Sequence, residues 1–348
     1  MIPLFKPYMP DLPELDTILH SGKLSYGQYS IDFENQLKDF FGTENLFVTN
    51  SYSSAIDVVI NVLGLKPGDE IIMSPMSCLV STLPFASRFL HIVWADVIPN
   101  KGTLNPQDVE NKITPKTKAI VHNHFCGYPG LIDEINTIGK KYDIPVIDDC
   151  IEAFGSKYKG VKVGNCGTDI TIFSLSPTRM LTTIDGGIVI FREKKKFKKG
   201  LLIRDCGIDR SKFRDDIGEI NPKCDVKVLG YSAMMSNVSA YIGIKQLEQV
   251  DRLLEKNKSN AFFWKTQNLV WLDTADAEPN YWVFGTLCSD KRESIVEYRK
   301  KGFYASGVHI NNNIYSIFKN KINLPGVNYF VKHFVALPCG WWFDGFEL

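Results

Sequence analysis

The chain has 348 residues, enough for a sizeable core and two domains, and its 44% hydrophobic and 23% charged content is ordinary for a globular protein. A net charge of +1 gives no electrostatic argument for nucleic acid or a membrane surface, and no apolar run reaches membrane-spanning length. None of the eight cysteines lies in C-x-x-C spacing and no His/Cys cluster has zinc spacing, so no metal is expected, and thiols in apolar runs fit a reducing cytoplasm. Met1–Lys6 lacks the basic start and long apolar run of a secretory leader.

Residues 1–30 read as an arm with a short helix around Leu12–Ser21, then the turn Ser21–Gly27. Apolar spacing predicts a helix over Ile31–Phe41 and a short strand over Leu46–Thr49. The chain then alternates. Helix Ser53–Leu63 precedes strand Glu70–Met73, helix Cys78–Arg88 precedes strand His91–Ala95, helix Pro106–Lys112 precedes strand Ala119–His122, and helix Leu131–Tyr142 precedes strand Pro145–Asp148. Such alternation predicts right-handed crossovers and a mostly parallel sheet flanked by helices, with ligands bound beyond the carboxyl ends of the strands.

Ile170–Leu175 and Ile188–Phe191 read as strands, and the polar turn between them is expected to put Arg179 on an exposed shelf at a sheet edge. The basic block Arg192–Lys199 reads as a solvated helix start continued by Lys199–Arg204. Cys206–Lys227 reads as a long polar loop. Met235–Lys256 reads as one long helix leading to a smaller α+β domain. The organisation expected is α/β, with a large domain over 1–250, N-terminal arm included, and a small domain over 251–348. Ala336–Leu348 is aromatic, and docking on a partner or packing in the chain's own core are both open.

Several residues could carry chemistry. Asp148 and Asp149 close a buried strand, and from the residues alone a two-carboxylate site and a helix cap at Asp149 stand equal. Asn50–Ala55 joins a strand to a helix, where amides and hydroxyls suit a phosphate or serve as ordinary serine caps.

Together these segments resemble the DegT/DnrJ-type sugar aminotransferases, fold-type-I enzymes that use pyridoxal phosphate (PLP). The run from Pro145 through Gly155 is similar to the family's E-D-[ASC]-A-[HQE]-A-x-G segment. This implies that Asp149 faces the pyridine nitrogen and that Glu152 lies near the ring hydroxyl. Asn50–Ala55 resembles S-G-T-[AS]-A, which implies phosphate contacts from Ser53 and Ser54, with Ser174 reaching the same phosphate; Tyr52 stands where that pattern has Gly. Cys78 falls at the ring-stacking aromatic, and His124 at a cofactor-pocket position. Ser232 falls at an Asn that reaches across the family's dimer, and Met234 at the Arg that follows. Tyr26 and His309 fall on the substrate side.

The segment Phe173–Gly187 resembles F-S-x-x-x-x-K-x-[LI]-[TG]-x-x-[DEG]-G-G, and Arg179 stands at the lysine that forms the Schiff base. A guanidinium stays charged and cannot replace a neutral amine nucleophile. The resemblance therefore implies a dimeric member, acting in amino- or deoxy-sugar synthesis, that does not transaminate and binds a nucleotide-sugar or an active partner. A second reading is an enzyme acting on a nucleotide-linked 4-keto sugar, as an aminotransferase or 3-dehydratase, with PLP or its aminated form (PMP) held non-covalently. A third has Lys157, Lys159 or Lys162 supply the amine. No nucleic acid or membrane partner is expected.

Overall fold

The computed structural model describes residues 1–318 and 322–345. The arm carries α1 (Leu15–His20) and leads into α2 (Gln28–Phe41). The alternating region follows as β1 (Leu46–Thr49), α3 (Tyr52–Leu63), β2 (Glu70–Met73), α4 (Leu79–Ser87), β3 (His91–Trp94), α5 (Pro106–Asn111), β4 (Thr117–Asn123), α6 (Ile132–Tyr142) and β5 (Val146–Asp149). A hairpin of β6 (Lys157–Tyr158) and β7 (Val161–Lys162) precedes β8 (Ile170–Ser174) and β9 (Gly187–Phe191).

The central sheet has the order β1-β9-β8-β5-β4-β2-β3. Only β9 runs against its neighbours; β8, β5, β4, β2 and β3 are parallel. Strands β5 and β8 are buried at every position, which is why β8 reads as a continuous largely apolar run rather than an alternating one. Because β1, β4, β5 and β8 point the same way, Thr49, Asn123, Asp149 and Ser174 end at one edge of the sheet, and the chain's candidate residues collect there.

The remainder comprises α7 (Lys194–Arg204), α8 (Asn237–Leu247), α9 (Val250–Lys265), β10 (Val270–Trp271), β11 (Ala277–Glu278), β12 (Phe284–Leu287), α10 (Lys291–Lys300), α11 (Pro325–His333) and β13 (Phe334–Leu337). Strands β10, β12 and β13 form a small antiparallel sheet packed on Ala261 and Trp264 of α9.

Two expectations need correction. Met235–Lys256 is not one helix: α8 ends at Leu247 and α9 starts at Val250. No Gly or Pro marks the break at Glu248-Gln249, and apolar positions continue through it, so periodicity alone runs the two together. Arg179 is not on an exposed shelf at a sheet edge: β8 is an interior strand, and the Arg179 side chain is only 8% exposed.

The aromatic tail docks on its own chain over residues 341–343, and residues 346–348 lie outside the described residues. Trp341 and Trp342 donate their indole N–H groups to the carbonyls of Lys6 and Pro3 in the arm, at 3.1 and 2.8 Å, and Phe343 is buried beside Trp264. The polar stretch 206–229 carries no helix or named strand, and an isolated bridge joins Arg214 to Ile220 within it.

Candidate functional site

Parallel register sets Asn123 of β4 beside Asp149 of β5 at the carboxyl edge of the sheet. Asp149 is 2% exposed. Its Oδ1 accepts from the Tyr52 hydroxyl at 2.5 Å and the Ile151 amide at 3.1 Å, and its Oδ2 accepts from Asn123 Nδ2 at 3.0 Å. The Ser81 hydroxyl lies 3.1 Å from the Tyr52 oxygen and, since Tyr52 gives its own proton to Asp149, donates to it. Burial raises the Asp149 carboxyl above the usual carboxylate range, and these donors offset only part of that rise. Burial, with Asp149 next to it, pushes the Tyr52 phenol well above its ordinary value.

Glu152 follows in the turn after β5 and is also buried. Its Oε1 lies 2.6 Å from His309 Nε2 and accepts from Arg179 Nη1 at 3.3 Å, and its Oε2 accepts from the Cys126 amide at 2.8 Å. Burial alone would raise this carboxyl; His309 and Arg179 outweigh it and hold it below the usual range. The Arg179 guanidinium also lies 5.1 Å from the ring centroid of Trp282, and Trp282 stacks on Phe5 of the arm at 4.4 Å. Between Arg179 and Trp341 the space is a cavity of about 30 Å3, room for little more than a water molecule.

Asp148 faces a different cluster. Its Oδ1 lies 3.3 Å from His122 Nδ1 and 3.5 Å from His124 Nε2, with all three side chains buried. Burial would raise Asp148; the two imidazoles reverse that and depress it. The trio has the residue types of a metal site. However, the Gly130 amide donates to His124 Nδ1 at 3.1 Å, so the proton of the neutral ring sits on Nε2, which faces Asp148 Oδ1 at 3.5 Å without a hydrogen bond.

The other candidates separate into near and far. Ser51 caps α3 by accepting from the Ser54 amide at 3.1 Å, while Ser53 is exposed. Gly187 lets the β8–β9 return approach this cap, since a Cβ there would meet Thr49 Oγ1 at 2.8 Å and the Ser51 carbonyl at 2.9 Å. Ser174 donates to Ser176 Oγ at 3.0 Å within its own turn. Ser232 is exposed, and its carbonyl accepts from Asn50 Nδ2 at 3.4 Å, next to the same cap. Cys78 caps no amide at the start of α4, and burial, with Glu152 beyond it, raises its thiol.

Tyr26 does not join the carboxylates. It donates to Glu34 at 3.0 Å and lines a separate cleft of about 920 Å3 with Arg204 and Phe197. Lys157, Lys159 and Lys162 lie on the β6–β7 hairpin, engaged with Glu278, Asp133 and the Phe40 carbonyl. None of the three touches Asp149 or Glu152.

Sequence reasoning missed four participants. Asn123 was signalled only by its place at the end of β4, one strand over from Asp149, while the contact between Tyr52 and Asp149, some hundred residues apart, had no local signal. Asn280 reaches back to donate to the carbonyls of Glu152 and Phe154 at 2.7 and 3.0 Å, and Trp282 follows it under Arg179. Two β-branched residues on loops at this site hold left-handed backbone, Ile184 at φ +74° and Val308 at φ +59°, a strained choice.

As folded, the residues present do not fit PLP in the manner the resemblance implies. Three donors already occupy most of the roughly four lone-pair sites of Asp149, and the Tyr52 phenol stands against its Oδ1. Arg179 is engaged by Glu152, and a guanidinium forms no Schiff base under physiological conditions.

The comparisons agree on the family. Residues 10–339 match the model of the DegT/DnrJ/EryC1/StrS aminotransferase family. GDP-perosamine synthase of Escherichia coli O157:H7 is 30% identical over 279 residues, 78% of this chain and 73% of that protein. UDP-4-amino-4,6-dideoxy-N-acetyl-beta-L-altrosamine transaminase of Campylobacter jejuni is 31% identical over 258 residues, 73% of this chain and 65% of its own. The crystal structure of AtS13 from Actinomadura melliaura superposes with a TM-score of 0.92 at 28% identity, covering 99% of this chain and 95% of that one. The strand order, the edge that gathers Asn123, Asp149 and Ser174, and the match across nearly the whole sequence lead to one conclusion: the chain belongs to the DegT/DnrJ/EryC1/StrS aminotransferase family.

Proposed function

We propose that this chain serves amino- or deoxy-sugar biosynthesis as a family member that does not transaminate, and that it binds a nucleotide-linked sugar or an active relative. The observation that carries this is the Arg179–Glu152 pair. The resemblance puts the Schiff-base lysine at Arg179, and a charged guanidinium held by a buried carboxylate is neither a nucleophile nor a proton shuttle. General acid–base steps contribute about 10²–10⁴ each, so losing that group abolishes ordinary turnover. The names of the relatives support the nucleotide-sugar class of ligand.

The chain's own residues can still bind. Arg179 and His309 present donors above Glu152, and Trp282 offers an aromatic face beside them. Pairing of two copies belongs to the same reading, with Ser232 next to the α3 cap at the surface available to a neighbour. The alternative, an enzyme with non-covalent PLP or PMP working on a 4-keto-sugar nucleotide, needs a ring seated against Asp149.

The test is incubation of the purified chain with PLP, L-glutamate and GDP- or UDP-linked 4-keto-6-deoxy sugars, with product read by mass spectrometry. Borohydride reduction after PLP addition, followed by peptide mapping, checks for any lysine-linked cofactor. No aminated sugar and no pyridoxyl-lysine at this site are expected. Aminated product at the relatives' rates would refute the reading.

A further inference from the structure

The α3 N-terminus and the Asp149 carboxylate are the two ends between which the resemblance lays the cofactor, phosphate at one and ring nitrogen at the other. In this chain a single side chain spans them. Tyr52 is the first residue of α3, is 4% exposed, and puts its hydroxyl 2.5 Å from Asp149 Oδ1. Ser81 lies 3.1 Å from the Tyr52 hydroxyl itself, and Asn123 holds the other carboxylate oxygen. The residue has helical neighbours and an ordinary Ser51 cap behind it, so nothing local requires an aromatic there. What its length achieves is delivery of an O–H to a carboxylate with 2% exposure. Without a donor from that side, a buried carboxylate is left short of a partner, at a penalty that general measurements put among the largest single-site effects.

We propose that Tyr52 is a built-in occupant of the cofactor-ring slot, its phenol taking the place of the ring nitrogen against Asp149, so that the native chain excludes PLP and PMP from that slot. The inference rests on the family-based assignment of Asp149 and the α3 terminus. It goes beyond the loss of the lysine, because it denies the slot to a non-covalent cofactor as well. It also gives the buried Asp149 a donor from within the chain.

The experiment is an absorbance and fluorescence titration of the full-length protein with PMP and with PLP, comparing the native chain, Tyr52→Gly and Tyr52→Phe. The native chain and Tyr52→Phe are expected to show no saturable binding at concentrations where Tyr52→Gly saturates, a gain of at least a hundredfold in Tyr52→Gly. Native affinity within threefold of Tyr52→Gly would overturn the proposal, and so would Tyr52→Phe binding as tightly as Tyr52→Gly. If Tyr52→Gly fails to fold, the double-mutant cycle of Tyr52→Phe with Asp149→Asn decides. The unfolding constants should couple by at least tenfold, and absence of coupling would overturn the contact on which the proposal stands. The two readings fail separately. Tight native PMP binding without amino transfer sinks this proposal alone, while amination of a sugar by the native chain sinks the non-transaminating function.

Discussion

Replacing Glu152 by Gln tests whether the Arg179 cluster is a fixed charge network. The substitution keeps size and one acceptor, so the Cys126 amide still has a partner, but it removes the negative charge that faces Arg179 and His309. With Glu152 1% and Arg179 8% exposed, solvent cannot compensate. Removing one partner of a buried pair costs about 3–5 kcal/mol, and the retained acceptor puts the expectation near the lower figure, about 3 kcal/mol at pH 7. The sign of the pH dependence follows from the direction of the shift. Glu152 is held below its ordinary value despite burial, by His309 and Arg179. Its unfolded value is about 4.3, so the pair contributes in full above about pH 5 and fades as the pH falls through the depressed folded value. Asp149 shifts the opposite way, but it does so in both proteins and cancels in the difference. Urea unfolding followed by tryptophan fluorescence at pH 7 and at stepwise lower pH measures the gap. A gap that stays constant down to pH 3, or one under about 1 kcal/mol at pH 7, would refute the charged network.

Arg179→Lys is expected to give no more than a trace of amination, because Tyr52 still fills the slot and Cys78 offers no aromatic face; full turnover in this single variant, assayed by mass spectrometry, would contradict that. Ile184→Gly should stabilise the protein by about 1 kcal/mol, since a β-branched residue at φ +74° carries roughly 1–3 kcal/mol of strain and Gly returns part of it as unfolded-state entropy. Thermal melting reads this, and a lowered midpoint would count against the strain. Asn280→Ala strips donors from the Glu152 and Phe154 carbonyls and the acceptor of the Trp282 amide, so a loss of about 3 kcal/mol is expected, measured by the same urea unfolding. A loss under 1 kcal/mol would mean that water replaces those bonds.

The fold was readable because its signals are local and repeated. From β1 to β4 each strand is followed by a helix, and β1 and β2 fall on the residues expected. The helix break after Leu247 was hidden because no residue there carries a breaking preference. The site was half readable. Asp149, Glu152, Arg179 and His309 were singled out, and the structure brings the last three together while Tyr52 and Asn123 hold the first. The burial of Arg179 was not readable, since its polar turn looks solvated and the residues that enclose it, Glu152, Trp282 and Trp341 among them, are distant in sequence. Tyr26 reads as a site residue by spacing yet is held by Glu34 and Arg204, an ion pair that no spacing rule reveals.

Burial of two carboxylates at 2% and 3% exposure would be unfavourable by several kcal/mol each if they were left unmet. In a site built for a cofactor, the ligand supplies part of what they need, and the empty protein is the strained state. Here each carboxylate is met from within: Asp149 by three donors with Tyr52 foremost, Glu152 by Arg179, His309 and the Cys126 amide. Two of the departures from the family pattern therefore act alike. Tyr52 and Arg179 each put a side-chain donor where the resemblance puts cofactor, and the ligand-free form becomes the satisfied one. Restoring one alone leaves the other in place, so Tyr52→Gly and Arg179→Lys are coupled, and their double variant should gain more PLP affinity than the two single gains combined.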